Sequence, residues 1–321
     1  MTEAPYGPGD DLAARAAEVV RARTSLVPRV GVVLGSGLGP ALADSLEEEA
    51  SFAFTDLPGF PPPGVPGHAG RLVLGALAGV PVAAFSGRVH VYEGHGMDVP
   101  ALLPRLAHAL GASTMVVTAA VGGLVEALPA GTVVVLRDHV NLMGEAPLRG
   151  WRAPDGTPAF VPMQGAYDAE LRRLALEEAD AIGVRATDGV YAAMQGPAYE
   201  TTAELAFLRG IGATVVGMSM VPEVMPARAL GMRVLALCSV TNAIGEEVTH
   251  EDVVRVSNET ARSVGRLLVD LLPRLPLEPG PDASGRRRTA ARRRPTTTEG
   301  VTPDAGPQGP WARPRRTRPD R

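Results

Sequence analysis

Short runs of valine, leucine and alanine, bounded by glycine and proline, alternate along the chain with stretches whose apolar residues return every three or four positions. The first pattern reads as buried strand and the second as amphipathic helix. Residues 10–23 put Leu12, Ala16, Val19 and Val20 on one helical face, with Asp10 or Asp11 as cap. Residues 30–34 read as a buried strand, and 71–77 with 80–86 as a hairpin turning at Ala78-Gly79. A helix over 100–110, strands over 113–118 and 132–136, and irregular chain over 144–163 follow. The alternation then becomes regular: helix 167–182, strand 187–194, helix 201–210, strand 213–218, helix 222–230, strand 233–240, helix 250–272. This order predicts an α/β fold, a single domain with a central mixed, largely parallel twisted sheet flanked by helices. Neither a repeat nor a linker interrupts it before residue 274, so 1–275 form one catalytic domain.

Composition sharpens this reading. With 45% hydrophobic residues and only 4% aromatics, the core must be built from Ala, Val and Leu, which suits packed layers of helix and sheet. The single cysteine, Cys238, excludes an intrachain disulfide framework and sits in the apolar run 234–240 as a small buried hydrophobe. A signal-peptide pattern and an apolar run of membrane-span length are both missing from the sequence, which makes the cytoplasm the expected compartment. All 31 basic residues are arginine. Schiff-base lysine chemistry and a P-loop lysine are thereby excluded, and any phosphate must be held by arginine, histidine, hydroxyls and backbone N–H groups.

Charge is unevenly spread. Over residues 280–321 eleven arginines stand against four acids, a surplus of 7, so the remaining body carries −11 of the chain's net −4. The segment 276–321 is rich in Pro, Thr and Gly and nearly free of apolar residues, so it is expected to be a disordered tail. Contact with nucleic acid is one use for such a tail, and a solvated appendage is the plainer one.

Six clusters carry the candidate chemistry. Strand 30–34 breaks into Gly35-Ser36-Gly37-Leu38-Gly39, a strand–loop–helix joint suited to phosphate or serving as a plain turn. Pro40 spoils the dinucleotide fingerprint, and a Walker loop would need a following Gly-Lys. Arg88, His90 and Tyr92 alternate after a strand and, if extended, project from one face as an anion clamp. His90 and His95 lack metal-ligand spacing, so no metal is expected. Thr118-Ala119-Ala120-Val121-Gly122-Gly123 runs a strand into small residues whose amides face an anion or merely turn. Thr201 or Thr202 with Glu204 forms a plausible capping box after Tyr199 and Glu200. Met218-Ser219 precedes a helix with Pro222 in its first turn, and Ser239, Thr241 and Asn242 end an apolar strand. Five of these clusters lie at carboxyl ends of strands, where open α/β sheets bind ligands.

With these clusters in view, the chain resembles the trimeric, low-molecular-mass purine nucleoside phosphorylases. The resemblance runs from about Val30 to the final helix and is carried by Val-Pro-Gly-His-Ala-Gly at 65–70 and Gly-Met-Ser-Met-Val-Pro-Glu-Val at 217–224. It implies a phosphate site made by Ser36, His68, Arg88, His90, the Ala120 amide and Ser219. Tyr92, Met218 and His250 would line the ribose, His250 meeting its 5′-hydroxyl; Tyr199 would pack on the purine, whose edge Glu200 and Asn242 would read. Phe160 matches the aromatic lent to a neighbouring subunit's ribose pocket, which implies a homotrimer. His90, Glu200 and Asn242 would serve the chemistry: reversible phosphorolysis of 6-oxopurine nucleosides in purine salvage, with orthophosphate as co-substrate and no cofactor.

Ala119, Tyr199 and Met220 stand where the family commonly has Asn, Phe and Thr, and the arginine-rich tail has no counterpart in the family's core. A methylthioadenosine phosphorylase of the same fold is the nearest alternative. It would leave Glu200 facing adenine's unprotonated ring nitrogen, a mismatch costing about 1–3 kcal/mol. A nicotinamide-dependent oxidoreductase using Asp56 for the ribose, or a non-catalytic nucleotide-binding module, are readings from other classes.

Overall fold

The computed structural model describes residues 5–242 and 250–277. The expected tail lies outside the described residues apart from Pro276 and Leu277.

The elements follow the hydrophobic pattern closely. They are α1 (Asp10–Arg21), β1 (Val30–Leu34), α2 (Leu38–Ala41), β2 (Leu46–Ala53), β3 (Arg71–Leu77), β4 (Val80–Ser86), α3 (Leu102–Leu110) and β5 (Thr114–Gly123). Next come β6 (Val133–Asn141), α4 (Ala169–Ala181), β7 (Ala186–Ala193), α5 (Thr202–Gly210), β8 (Val215–Gly217), α6 (Val221–Ala229), β9 (Arg233–Asn242) and α7 (His250–Leu271). The Thr201–Glu204 capping box opens α5 as expected. The cap of α1 differs: Gly9 occupies it without a side-chain bond, because the Asp10 carboxylate turns to the Arg105 guanidinium at 2.8 Å. The helix expected after the glycine loop is a single turn starting after Gly37.

Strand β2 has no counterpart in the sequence reading. Its Glu47-Glu48-Glu49 run hides the alternation, and only Phe52 is buried. It pairs antiparallel with β3 across a bulge between Glu48 and Ala50, a charged edge of the kind that discourages edge-to-edge association.

The strands lie in the order β2-β3-β4-β1-β5-β8-β7-β6-β9, and β9 returns to pair with β5. The pairs β1–β4, β1–β5, β5–β9, β6–β7 and β7–β8 are parallel; β2–β3, β3–β4, β5–β8 and β6–β9 are antiparallel. The sheet is thus mixed, as expected, but its second half closes into a ring with β6, β7 and β8 running against β5 and β9. The open-sheet rule about carboxyl ends therefore does not by itself gather the clusters; ring closure does.

Alternation along each strand separates two apolar layers. In β1, Val33 joins the layer under α1, α3 and α6, while Val30, Val32 and Leu34 join the layer under α2, α4 and α7. Cys238 is fully buried, as its apolar run predicts.

Candidate active site

At the end of β1 the chain passes too close to β5 for any side chain: a Cβ on Gly35 would lie 2.9 Å from the Thr118 carbonyl oxygen. The Gly35 N–H donates to Thr118 Oγ1 at 2.8 Å, and that hydroxyl donates to the Val33 carbonyl. This fixes Ser36, whose Oγ lies 3.3 Å from His68 Nε2. His68 packs over Gly87, where a Cβ would come within 2.7 Å of the imidazole's own Cβ. Its Nδ1 stands 3.1 Å from the Arg88 amide nitrogen and 2.8 Å from the Arg88 carbonyl oxygen. Burial, joined by the charges of His90 and Arg88, pulls the His68 pKa down to about 4, so the ring is neutral at pH 7.

Arg88 is 1% exposed. Its Nη2 donates to the Thr118 carbonyl, and its Nε lies 3.3 Å from Glu223 Oε1. The extended geometry expected for 88–92 does not occur, because Val91–Glu93 form a 3₁₀ turn. That turn stacks the rings of His90 and Tyr92 at 4.7 Å, closer than alternate residues of a strand stand, and leaves His68 5.2 Å from His90. Glu93 closes the turn: its Oε1 accepts from the His90 N–H at 2.6 Å and lies 3.0 Å from His90 Nδ1. Burial raises the Glu93 carboxyl, but the bonds from His90 and the Gly64 N–H outweigh it and hold the pKa at about 2. Burial and the Glu93 charge push the Tyr92 phenol up to about 12.

Thr118 to Gly123 is continuous strand rather than the strand end expected. The β1 partner stops at Val117 and the β8 partner begins at Gly122, which leaves a gap beside 118–121. Ser239 and Thr241 hydroxyls bond the carbonyls of Ala119 and Val121 on the β9 side. Peptide groups alternate in direction along a strand, so those of Thr118 and Ala120 face the gap.

Ser219 is held through its backbone, the Tyr191 hydroxyl accepting from its N–H at 3.0 Å and donating to its carbonyl at 3.1 Å. The Val221 N–H also reaches the Ser219 carbonyl, at 2.8 Å, making a γ-turn at Met220 with φ 67°. Met218 and Tyr92 meet over Gly196, where no Cβ would fit. Asn242 ends β9 beside Gly122, with its Oδ1 3.0 Å from the Thr241 hydroxyl. Glu200 is half-buried, and burial with the nearby Glu204 raises its pKa. Tyr199 and Phe160 are exposed at 54% and 91%. His250 opens α7, but its side chain lies outside the described residues.

Ser36, His68, Arg88 and His90 are therefore brought together around the gap at Thr118 and Ala120, and Tyr92 joins Met218. Thr118 and Glu223 lie inside the runs 118–123 and 217–224, but their contacts cross the fold and the runs alone give them no role. Glu93 had a signal, three residues after His90, whereas Tyr191 acts across the fold and had none. Among the described residues, no three His, Cys, Asp or Glu side chains converge as metal ligands would.

Fold and site define an α/β protein with a mixed sheet and a donor-lined gap beside β5. The family described as the phosphorylase superfamily matches residues 29–273. Purine nucleoside phosphorylase 1 of Bacillus subtilis is 41% identical over 249 residues, 76% of this chain and 92% of that protein. The purine nucleoside phosphorylase of Mycobacterium tuberculosis is 40% identical over 270 residues, 83% of this chain and 97% of that protein. Among solved structures, Schistosoma mansoni purine nucleoside phosphorylase in complex with inosine matches with a TM-score of 0.76 at 35% identity, covering 83% of this chain and 97% of that one. The chain belongs to the nucleoside phosphorylase family.

Proposed function

We propose that this chain is a purine nucleoside phosphorylase, a pentosyltransferase that cleaves 6-oxopurine nucleosides reversibly with orthophosphate. The observation that carries the reading is the buried Arg88 set with His90, Ser36 and a neutral His68, a donor-rich cradle in a chain without lysine. Ser36, Arg88, His90, Ser219 and the Ala120 amide bind the phosphate, with His68 above it.

Phosphate attacks the anomeric carbon while the glycosidic bond breaks, through an oxocarbenium-like transition state. The sugar gains positive charge beside an anion whose orientation the donors fix, and the purine gathers electrons as it leaves. Asn242 donates to the carbonyl of the six-membered ring or to the neighbouring five-ring nitrogen, where charge accumulates. Glu200 accepts from the ring N–H, and the environment that raises its pKa also makes it a stronger acceptor. Tyr92 and Met218 wall the ribose, as His250 does from α7, and Tyr199 packs on the base. No covalent enzyme intermediate is required, and no cofactor enters.

Phe160, exposed on its own chain, suits a neighbouring subunit's ribose pocket, so the assembly is a homotrimer. The reaction belongs to cytoplasmic purine salvage. Incubation with inosine tests the reading: hypoxanthine must appear only when phosphate is present. Release without phosphate would mean hydrolysis, and no release would mean a binding module. Sedimentation gives the subunit number.

A further inference from the structure

We propose that Glu223 is a positioning residue for this reaction, holding the Arg88 guanidinium by its Nε edge so that the outer amino groups stay turned to orthophosphate. The inference rests on the function given above. A guanidinium carries five N–H donors in a rigid plane. One Nη2 donor of Arg88 is committed to the Thr118 carbonyl, and the Nε edge faces Glu223 Oε1 at 3.3 Å. These two contacts come from different elements, β5 and the first turn of α6, and together they restrict how the plane can turn.

The pair is unusual for an anion site. Both side chains are almost wholly buried, 2% and 1% exposed, so a carboxylate has been taken out of water close to where a dianion binds. Desolvating a carboxylate is costly unless it is paired, and here it also repels the phosphate. The contact is loose: Arg88 Nε and Glu223 Oε2 are both buried without a hydrogen-bond partner. An N-terminal position on α6 offsets part of the charge. What the carboxylate supplies in return is direction, together with a weaker ground-state grip on phosphate, because Arg88 arrives already neutralised.

A split in kinetic constants follows. Glu223→Gln keeps the shape and removes the charge, so Arg88 gains pull on phosphate and loses its anchor. We expect kcat to fall roughly 10–100-fold, the loss that accompanies a small misplacement of a reacting group. The KM for phosphate should stay within about threefold of the parent or fall, and the KM for inosine should not move. Glu223→Asp, which keeps the charge one methylene short, should lose less in kcat. A parent-like kcat in Glu223→Gln overturns the inference, as does a joint rise in both KM values. If Glu223→Gln does not fold, Glu223→Asp carries the test, and a parent-like kcat there overturns it. Failure of both to fold makes Glu223 a folding residue and overturns it too. A parent chain without phosphorolysis is a different outcome, because it sinks the proposed function itself.

Discussion

His68 ties the stability of the fold to pH through a proton that it declines to take. The folded pKa of about 4 lies below the unfolded value of 6.5. As pH falls, the unfolded chain takes up the proton first, so stability is present above pH 6.5 and is lost as pH falls towards about 4. Between about pH 7 and about pH 5 the two values give a loss of about 2 kcal/mol. This is an upper figure, since the loop carrying His68 is half open to water, which screens part of it. The perturbation is His68→Gln, which keeps a polar group beside Ser36 and Arg88 but cannot titrate. Urea unfolding in phosphate-free buffer at both pH values measures the effect. The parent should lose more stability on acidification than the variant, by up to that amount. Equal losses in the two proteins would refute the assignment of the shift to burial at this site. Saturating phosphate should narrow the gap, because an anion beside the ring favours its charged form.

Arg88→Ala should raise the phosphate requirement sharply and lower kcat by roughly 100-fold or more, as removing a central charge-stabilising donor does; unaltered phosphate dependence refutes the clamp. Asn242→Asp turns a donor into an acceptor and should shift preference towards 6-aminopurines, read as the ratio of inosine to adenosine turnover; an unchanged ratio sinks the purine assignment. Asp168 caps α4 through the Glu170 and Leu171 amides and takes a two-pronged bond from Arg233 at 2.7 and 2.8 Å. Asp168→Ala should therefore lower unfolding stability by about 2–3 kcal/mol without changing turnover, a loss visible in urea denaturation.

Local pattern reached far into this molecule. The hairpin at Ala78-Gly79, the helices from 167 onward and the Thr201 capping box depend on periodicity and short-range bonds, which the residues themselves contain. Strand β2 escaped because its acidic run masks the alternation, and its place is set by pairing with β3. The 3₁₀ turn at Val91–Glu93 escaped because Glu93 overrode an extended reading of the same residues.

The sequence alone determined which chemistry was available: arginine without lysine, a glycine-serine loop after a strand, and the motifs that mark the family. Only the tertiary structure decided that β5 and β9 close with β8, β7 and β6 into a ring. That closure leaves the gap at Thr118–Val121. It also decided that Arg88 meets Glu223 and that Tyr191 holds Ser219. Periodicity and spacing speak only for neighbours along the chain, whereas these contacts join residues that packing alone brings together.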